Sequence, residues 1–319
     1  MTVAWVIGAS GLLGSALTAT IARHPNWELL PSAPLPWDDP SALPISSAAI
    51  MRELLNAASI ADDDWAIIWA GGAGVTSTPQ TDLDRELGQL RAIFDAAGKV
   101  IESVSSTATP PRGSIFYSSS AGGIYGGSLA PPFSEDTTPA PISPYGRFKL
   151  DAEAAVAAFA SAHALSSLAG RIANLYGPGQ KLGKMQGLIS HLAKAQYSPA
   201  PASIFVSLDT VRDYIYVDDC AELILDSLDY LRSLTGPIQQ MKILASGQAV
   251  TIGELLGHFH ALAKAKPHVM LGQSAAASLQ GLDLRLHSTV WTHLDSRTLT
   301  PLPVGIDRTM RAVLMELVS

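Results

Sequence analysis

Short apolar runs alternate with longer amphipathic segments along the first half of the chain. The apolar runs, each with the length and composition of a buried strand, are Thr2–Ile7, Trp27–Leu30, Trp65–Trp69 and Ser114–Tyr117. Helices are predicted between and after them, over Leu12–His24, Ile50–Ala58, Leu83–Ala97 and Tyr145–His163. Because strands that alternate with helices form βαβ units, we expect an α/β protein. Its parallel sheet would be covered by helices on both faces, as in a doubly wound fold.

The pattern is less regular beyond Arg171. Loops rich in Gly and Pro occupy Tyr176–Gln180 and Tyr197–Pro201, a strand is predicted over Val211–Val217, and a last helix near Asp307–Leu317. We therefore expect a smaller C-terminal lobe that is discontinuous in sequence.

Charge is scarce in this chain of 319 residues. Charged residues make up 15%, against about 25% in an average soluble domain, and the mean hydropathy is +0.22. The charge-free stretch Gly113–Ser134 is nevertheless built largely from Ser, Gly and Pro, and no run of about 20 residues is continuously apolar, which argues against a membrane span. A net charge of −7 without a basic patch argues against nucleic-acid binding.

The cysteine and histidine residues indicate the compartment of the protein and argue against a metal site. The single cysteine, Cys220, excludes an intramolecular disulfide and favours a reducing, cytoplasmic compartment, and no basic region precedes the first apolar run as in a signal peptide. The eight histidines do not cluster as ligands, since His258 and His260 would point to different faces of a helix. We therefore expect no metal site.

A glycine-rich turn follows the first predicted strand and opens the first helix. Gly8, Gly11 and Gly14 have the spacing in which the first glycine permits a tight turn, the second lets a pyrophosphate approach and the third allows the helix to pack on the strand. The free N–H groups and the dipole of the helix would then hold the phosphates. An ordinary βα turn is the alternative, and the context favours dinucleotide binding.

The choice between NAD and NADP is left open by the second strand. An acid about 20 residues after the turn would hold the ribose hydroxyls of NAD, but Glu28 stands at the start of the strand rather than at its end. The end is Pro31-Ser32-Ala33, with neither acid nor arginine, so Ser32 tilts the expectation only slightly toward NADP. Asp38 and Asp39 could fold back toward the ribose.

Tyr145 and Lys149 are four residues apart, which places a phenol and an ammonium on one face of a helix. A free phenol has a pKa near ~10 and is a weak base at neutral pH, whereas a fixed cation nearby lowers that pKa. Such a tyrosine can move a proton at an alcohol while a nicotinamide takes or gives hydride.

Six segments in order along the chain resemble the motifs of the extended short-chain dehydrogenases/reductases, specifically the NAD(P)-dependent epimerase/dehydratase family that modifies nucleotide sugars. They are Gly8–Gly14, Ser118–Gly126, Phe133–Leu150, Arg171–Gln180, Arg212–Asp219 and Ser246–Leu255. The resemblance implies a Rossmann-type dinucleotide-binding domain over 1–173 plus about 203–245. A smaller substrate-binding lobe would comprise about 174–202 plus 246–319. It also implies a homodimer.

The resemblance also implies the roles of individual residues. Tyr145 would be the general acid/base, and Lys149 would hold the nicotinamide ribose and tune Tyr145. A serine at the end of the fourth strand, Ser120 first and Ser119 next, would hydrogen-bond the reacting group of the substrate. The cofactor-binding residues would be Gly8, Ser10, Gly11, Leu12, Leu13, Gly14, Ala70, Gly71 and Gly72, together with Tyr145 and Lys149.

Asn174 would contact the substrate, and Arg212 would pair with its diphosphate, for which a bidentate guanidinium is suited. The expected ligands are thus NAD or NADP and a small nucleotide-sugar-like substrate.

The chain departs from the family pattern at four places. Ala121 stands where the catalytic Ser or Thr is usual, so the loop holds one extra residue. The Gly-Asp pair that reads adenine is missing, and Leu43–Ser47 occupies that region. Arg85 and Trp69 replace the usual Asn and His.

Epimerisation, dehydration and keto-sugar reduction share these residues. Family dehydratases carry Asp-Glu where this chain has Gly122 and Gly123, which ranks dehydration last. An NAD(P)-dependent nucleotide-sugar epimerase acting through a transient keto intermediate is the leading hypothesis. The alternatives are an NADPH-dependent keto-sugar reductase and a non-catalytic dinucleotide-binding sensor or scaffold.

Overall fold

A six-stranded parallel sheet forms the centre of the computed structural model, which describes residues 1–105, 111–182, 187–265, 268–272 and 279–318. Strands and helices are numbered in chain order. The strands of this sheet are β1 (Thr2–Ile7), β2 (Trp27–Leu29), β3 (Asp64–Trp69), β4 (Gly113–Ser120), β5 (Ser166–Ile172) and β9 (Gln239–Leu244). They lie in the order β2-β1-β3-β4-β5-β9, and neighbouring strands pair in parallel.

Helices cover both faces of this sheet, which confirms the expected doubly wound α/β fold. On one face lie α2 (Ala42–Ala61), α3 (Gln80–Ser105) and α5 (Pro144–Ala162), and on the other α1 (Leu12–Ile21) and α7 (Val217–Ser233). Successive side chains of β1 alternate between the two layers: Val3, Trp5 and Ile7 pack with the first group, and Ala4 and Val6 with the second. Burial on both faces explains why the strands are apolar throughout.

A second, smaller group of elements lies outside this sheet. Its strands are β6 (Asn174–Tyr176), β7 (Ala202–Ile204), β8 (Val211–Tyr216), β10 (Ala249–Thr251), β11 (Val269–Leu271) and β12 (Asp283–Leu284). Strand β8 pairs with β6, β10 and β12, and β7 pairs with β11. The helices are α6 (Leu188–Gln196), α8 (Ile252–Ala263) and α9 (Leu302–Val318), and a short helix, α4 (Ala121–Ile124), follows β4.

The predicted two-lobe division stays a prediction, although β8 lies within the stretch assigned to the dinucleotide-binding domain and pairs in the smaller sheet. Within the described parts of the chain, no helix is long and apolar enough to cross a membrane.

The predicted start of the second helix is wrong. Helix α2 begins at Ala42 and not at Ile50, because Asp39 accepts hydrogen bonds from the N–H groups of Ser41 (2.9 Å) and Ala42 (3.0 Å). Leu43–Ser47 is therefore the first part of a core helix.

The alanine-rich stretch of α5 packs partly within the chain. Ala152 and Ala160 are fully buried, together with Val156, against the core shared with α2 and α3. This face is therefore occupied internally. The homodimer expected from the resemblance stays a prediction, which sedimentation analysis of the purified chain would test.

Candidate active site

The glycine turn between β1 and α1 has the geometry of a phosphate cradle. Gly8 has a φ of +86°, which favours glycine, and a Cβ on Gly14 would lie 2.1 Å from the carbonyl oxygen of Gly8. Within the described residues no side chain caps the first turn of α1, so its N–H groups are available to a ligand. The turn thus fits the pyrophosphate of a dinucleotide, with Ser10, Gly11, Leu12 and Leu13 around it.

A second glycine turn, Gly71–Gly74, follows β3 and lies against the first. A Cβ on Gly8 would be 2.5 Å from the Cα of Gly71, so only glycine allows this approach. The N–H of Ala70 donates to the carbonyl of Ile7 (2.9 Å), and the indole N–H of Trp69 donates to the carbonyl of Gly71 (3.0 Å). The structure therefore brings together the two turns that were predicted separately.

Tyr145 lies in the first turn of α5, where Ser143 caps the helix through the N–H of Gly146 (3.1 Å). Its phenol faces the hydroxyl of Ser120, which accepts a hydrogen bond from the N–H of Gly123 (3.2 Å) in α4. Burial raises the pKa of Tyr145 to about 12, and the nearby hydroxyl of Ser120 acts to lower it. The phenol is therefore protonated at neutral pH.

Lys149 lies one helical turn further along α5 and is 5% exposed. Its Nζ donates to the carbonyl of Ser118 (2.9 Å) and to the hydroxyl of Tyr117 (3.3 Å), and it lies 5.6 Å from the centre of the Tyr145 ring. Burial lowers the pKa of Lys149 to about 8, and the nearby carboxylate of Glu153 raises it. Tyr117 was missed in the sequence because it belongs to a strand that looks wholly structural.

We expect the titration of Lys149 to make the free energy of unfolding depend on pH. Its folded pKa of about 8 lies below the usual lysine value, so between these values the unfolded chain binds more protons and stability rises with pH. From pH ~8 to pH ~10 the wild-type free energy of unfolding should rise by about 2 kcal/mol relative to Lys149→Met. Urea denaturation at both pH values measures this. Lys99→Met, at an exposed position of α3, should run parallel to the wild type, and parallel behaviour of Lys149→Met would contradict the prediction.

Ser119 and Ser120 face different partners. The Ser119 hydroxyl donates to Glu153 Oε1 (2.5 Å), and the guanidinium of Arg171 pairs with the same carboxylate (2.8 Å). Arg171 also donates to the hydroxyl of Tyr125 (2.7 Å). Ser119 is thus part of a buried polar network behind β4, whereas Ser120 is the serine that reaches Tyr145.

Arg212 and Asn174 lie on the paired strands β8 and β6, and Asn174 is opposite Tyr214 in the register. The guanidinium of Arg212 donates to the carbonyls of Val211 (2.9 Å) and Leu282 (3.4 Å). Arg212 is 6% exposed, and Asn174 is exposed. The structure places both in the smaller sheet, and Asn174 lies two residues beyond Ile172, which pairs with Ser120 in the register of β4 and β5.

The end of β2 carries neither an acid nor an arginine. Glu28 is an exposed residue in the middle of this strand, Ser32 is exposed beyond it, and Asp39 is engaged in capping α2. The choice between the two dinucleotides is therefore not made by a charged residue at this position.

Sequence reasoning missed Glu86. It lies in α3 between Leu83 and Leu90, both buried, so the helical spacing puts an acid on the apolar face of the helix. That spacing was the available signal. The carboxylate accepts hydrogen bonds from the N–H groups of Ala73 (3.2 Å) and Gly74 (3.1 Å), in the second glycine turn. Among the described residues, no group of three or more His, Cys, Asp or Glu side chains could hold a metal ion.

The fold and the site together define a dinucleotide-binding α/β enzyme of the short-chain dehydrogenase type. Residues 4–238 match the model of the NAD dependent epimerase/dehydratase family, and the chain belongs to this family. The match confirms the family expected from the motifs, the class of enzyme and a nicotinamide dinucleotide as the cofactor.

Individual relatives include both epimerases and reductases. The chain is 27% identical over 199 residues to a dTDP-4-dehydro-6-deoxyglucose reductase of Escherichia coli, a match that covers 62% of this chain and 61% of that protein. It is 31% identical over 108 residues to a UDP-glucose 4-epimerase of Mycolicibacterium smegmatis, or 34% of each chain. Among solved structures, MoeE5 in complex with UDP-glucose and NAD superposes with a TM-score of 0.77 at 21% identity, covering 99% of this chain and 100% of that one.

Proposed function

We propose that this chain is a nucleotide-sugar 4-epimerase that uses NAD or NADP and acts through a transient keto-sugar. The observation that carries the proposal is the contact between the Tyr145 phenol and the Ser120 hydroxyl, with Lys149 one helical turn away. This group lies at the carboxyl end of β4, on the edge of the sheet where the two glycine turns meet. Ligands of parallel α/β sheets bind at that edge.

Each residue of the site has a separate proposed role. Ser120 orients the reacting hydroxyl of the sugar, and Tyr145 accepts its proton and returns it to the opposite stereoisomer. When bound, the nicotinamide supplies the hydride acceptor and donor for the carbon atom. The pKa of Tyr145 is about 12 in the chain by itself, so accepting a proton requires that this pKa fall when the oxidised dinucleotide binds. The positive charges of the oxidised nicotinamide and of Lys149 would lower it, since a nearby positive charge favours the phenolate. Arg212 and Asn174 are proposed contacts of the diphosphate and the sugar.

The arrangement fits dehydration less well. Gly122 and Gly123, the positions that would carry a further acid and base, belong to the short helix α4. A Cβ on Gly123 would lie 3.1 Å from the ring of Tyr145, which leaves little room for a side chain. One proton-transferring group is sufficient for epimerisation and for reduction.

Keto-sugar reduction is the second candidate, and two observations favour it. The Escherichia coli reductase matches a larger share of this chain than the epimerase does. A tyrosine with a pKa of about 12 is protonated at neutral pH and is therefore suited to donate a proton to a carbonyl.

The test is incubation of the purified chain with UDP-glucose or UDP-galactose without added dinucleotide. The proposal expects interconversion of the two sugars, because the cofactor is regenerated in each cycle. Consumption of stoichiometric NADPH with a 4-keto-sugar, and no interconversion, would establish the reductase instead. The mass and absorption spectrum of the dinucleotide that copurifies would identify it as NAD or NADP.

A further inference from the structure

The carboxylate of Glu86 holds the second glycine turn through two hydrogen bonds. Its Oε2 accepts the hydrogen bonds from Ala73 and Gly74, at 3.2 and 3.1 Å. Its Oε1 lies 3.2 Å from the point where a Cβ on Gly72 would be. Both oxygens of the half-buried carboxylate are therefore directed toward the turn.

The turn that Glu86 holds contacts both proposed catalytic side chains. A Cβ on Gly74 would be 3.4 Å from the ring of Tyr145, so the backbone of Gly74 packs against this ring. The Nζ of Lys149 lies 3.9 Å from the same point above Gly72 that Oε1 of Glu86 approaches. Glu86 is thereby linked, through one short turn, to the position of Tyr145 and to the surroundings of Lys149.

The negative charge of Glu86 acts on the site as well. It raises the pKa of Tyr145 and of Lys149, so its field reaches both groups. The neighbouring cation on α3, Arg85, pairs with Asp82 (2.9 Å) on the outer side of the helix. The charge of Glu86 therefore faces the site and not this arginine.

We propose that Glu86 is a positioning residue of the nicotinamide site, which holds the Gly72–Gly74 turn against Tyr145 and favours binding of the oxidised dinucleotide over the reduced one. The inference rests on the proposed function, because it takes Lys149 as the group that holds the nicotinamide ribose. The nicotinamide ring is cationic when oxidised and neutral when reduced. A half-buried carboxylate at the turn beside Tyr145 and Lys149 would attract only the oxidised form.

The experiment compares dissociation constants of oxidised and reduced dinucleotide. Glu86→Gln retains the shape and an acceptor oxygen but removes the charge. Kd values for NAD⁺, NADH, NADP⁺ and NADPH are measured by calorimetry on the full chain after removal of copurified nucleotide. We expect the ratio of the oxidised to the reduced Kd to rise about fivefold in Glu86→Gln. The matched control, Glu102→Gln at an exposed position of the same helix, should leave the ratio unchanged.

A second variant and a salt series separate charge from structure. Glu86→Asp retains the charge and shortens the side chain, so affinity should fall while the ratio stays near that of the wild type. In the wild type itself, raising KCl from about 0.05 to about 0.5 M should move the ratio in the direction of Glu86→Gln, because salt screens the charge. This measurement needs no variant that could fail to fold.

Equal weakening of the oxidised and the reduced form in Glu86→Gln would overturn the proposal, because the carboxylate would then only support the turn. A ratio that does not respond to salt would overturn it as well. If the wild type bound none of the four dinucleotides, the proposed function itself would be refuted, and this inference with it.

Discussion

Replacing Tyr145 by Phe is expected to lower kcat by about 10²- to 10⁴-fold, the usual size of a general acid/base contribution. The substitution removes one oxygen, which faces the hydroxyl of Ser120, and keeps the ring that packs against Gly74. Dinucleotide affinity and thermal stability should therefore stay close to those of the wild type. Initial rates of sugar interconversion, together with a Kd measurement, check both parts.

The matched control is Tyr197→Phe, the same chemical change at a tyrosine that is 39% exposed beyond α6. It should retain full activity. Unchanged activity in Tyr145→Phe would instead favour the non-catalytic sensor or scaffold, since a protein that only binds a dinucleotide does not need this hydroxyl.

Replacing Arg171 by Met is expected to lower the free energy of unfolding by about 3 kcal/mol, since it leaves a buried carboxylate without its counter-ion. The side chains of Arg171 and Glu153 are 6% and 12% exposed, and the nearest contacts of the ion pair are 2.8 and 3.0 Å long. After the substitution, Ser119 would be the remaining hydrogen-bond donor to Glu153 among the described residues. Urea denaturation gives the free energy of unfolding directly.

Two further variants make this prediction decisive. Arg311→Met breaks an ion pair with Asp307 in which the arginine is 78% exposed, and such pairs contribute at most about 1 kcal/mol. The double variant Arg171→Met, Glu153→Gln removes both charges and should be more stable than Arg171→Met alone. Equal stabilities of Arg171→Met and Arg311→Met would show that the buried ion pair contributes no more to the free energy of unfolding than the exposed one.

Elements that depend on local sequence were predicted well. Strand β1 was predicted with its observed ends, because its apolar run stops at Gly8, which marks the end of the strand. Helix α2 was predicted eight residues too short at its start (Ala42 against Ile50), because its first turns are held by a cap from Asp39 and contain Pro44. Proline is common in the first turn of a helix, but in a sequence it indicates a loop unless the residue that caps the helix is recognised.

The assignment of the reactive serine shows where the sequence stops being sufficient. Adjacent residues of a strand point to opposite faces, so Ser119 and Ser120 cannot both reach Tyr145. In a strand buried on both faces, neither hydroxyl is marked by hydrophobic periodicity. Only the partners across the fold distinguish them, since Glu153 lies on one side and Tyr145 on the other.

By itself, the sequence determined the α/β class, the glycine turn with Gly8 and Gly14, and the pairing of Tyr145 with Lys149 on one helix face. These features depend on residues close together in the chain, whose spacing follows from helix and strand geometry. Only the tertiary structure showed that Ser120 meets Tyr145, that the two glycine turns touch and that Glu86 faces the site. Such contacts join residues far apart in the chain, and their formation depends on how strands and helices pack, which no local pattern of residues encodes.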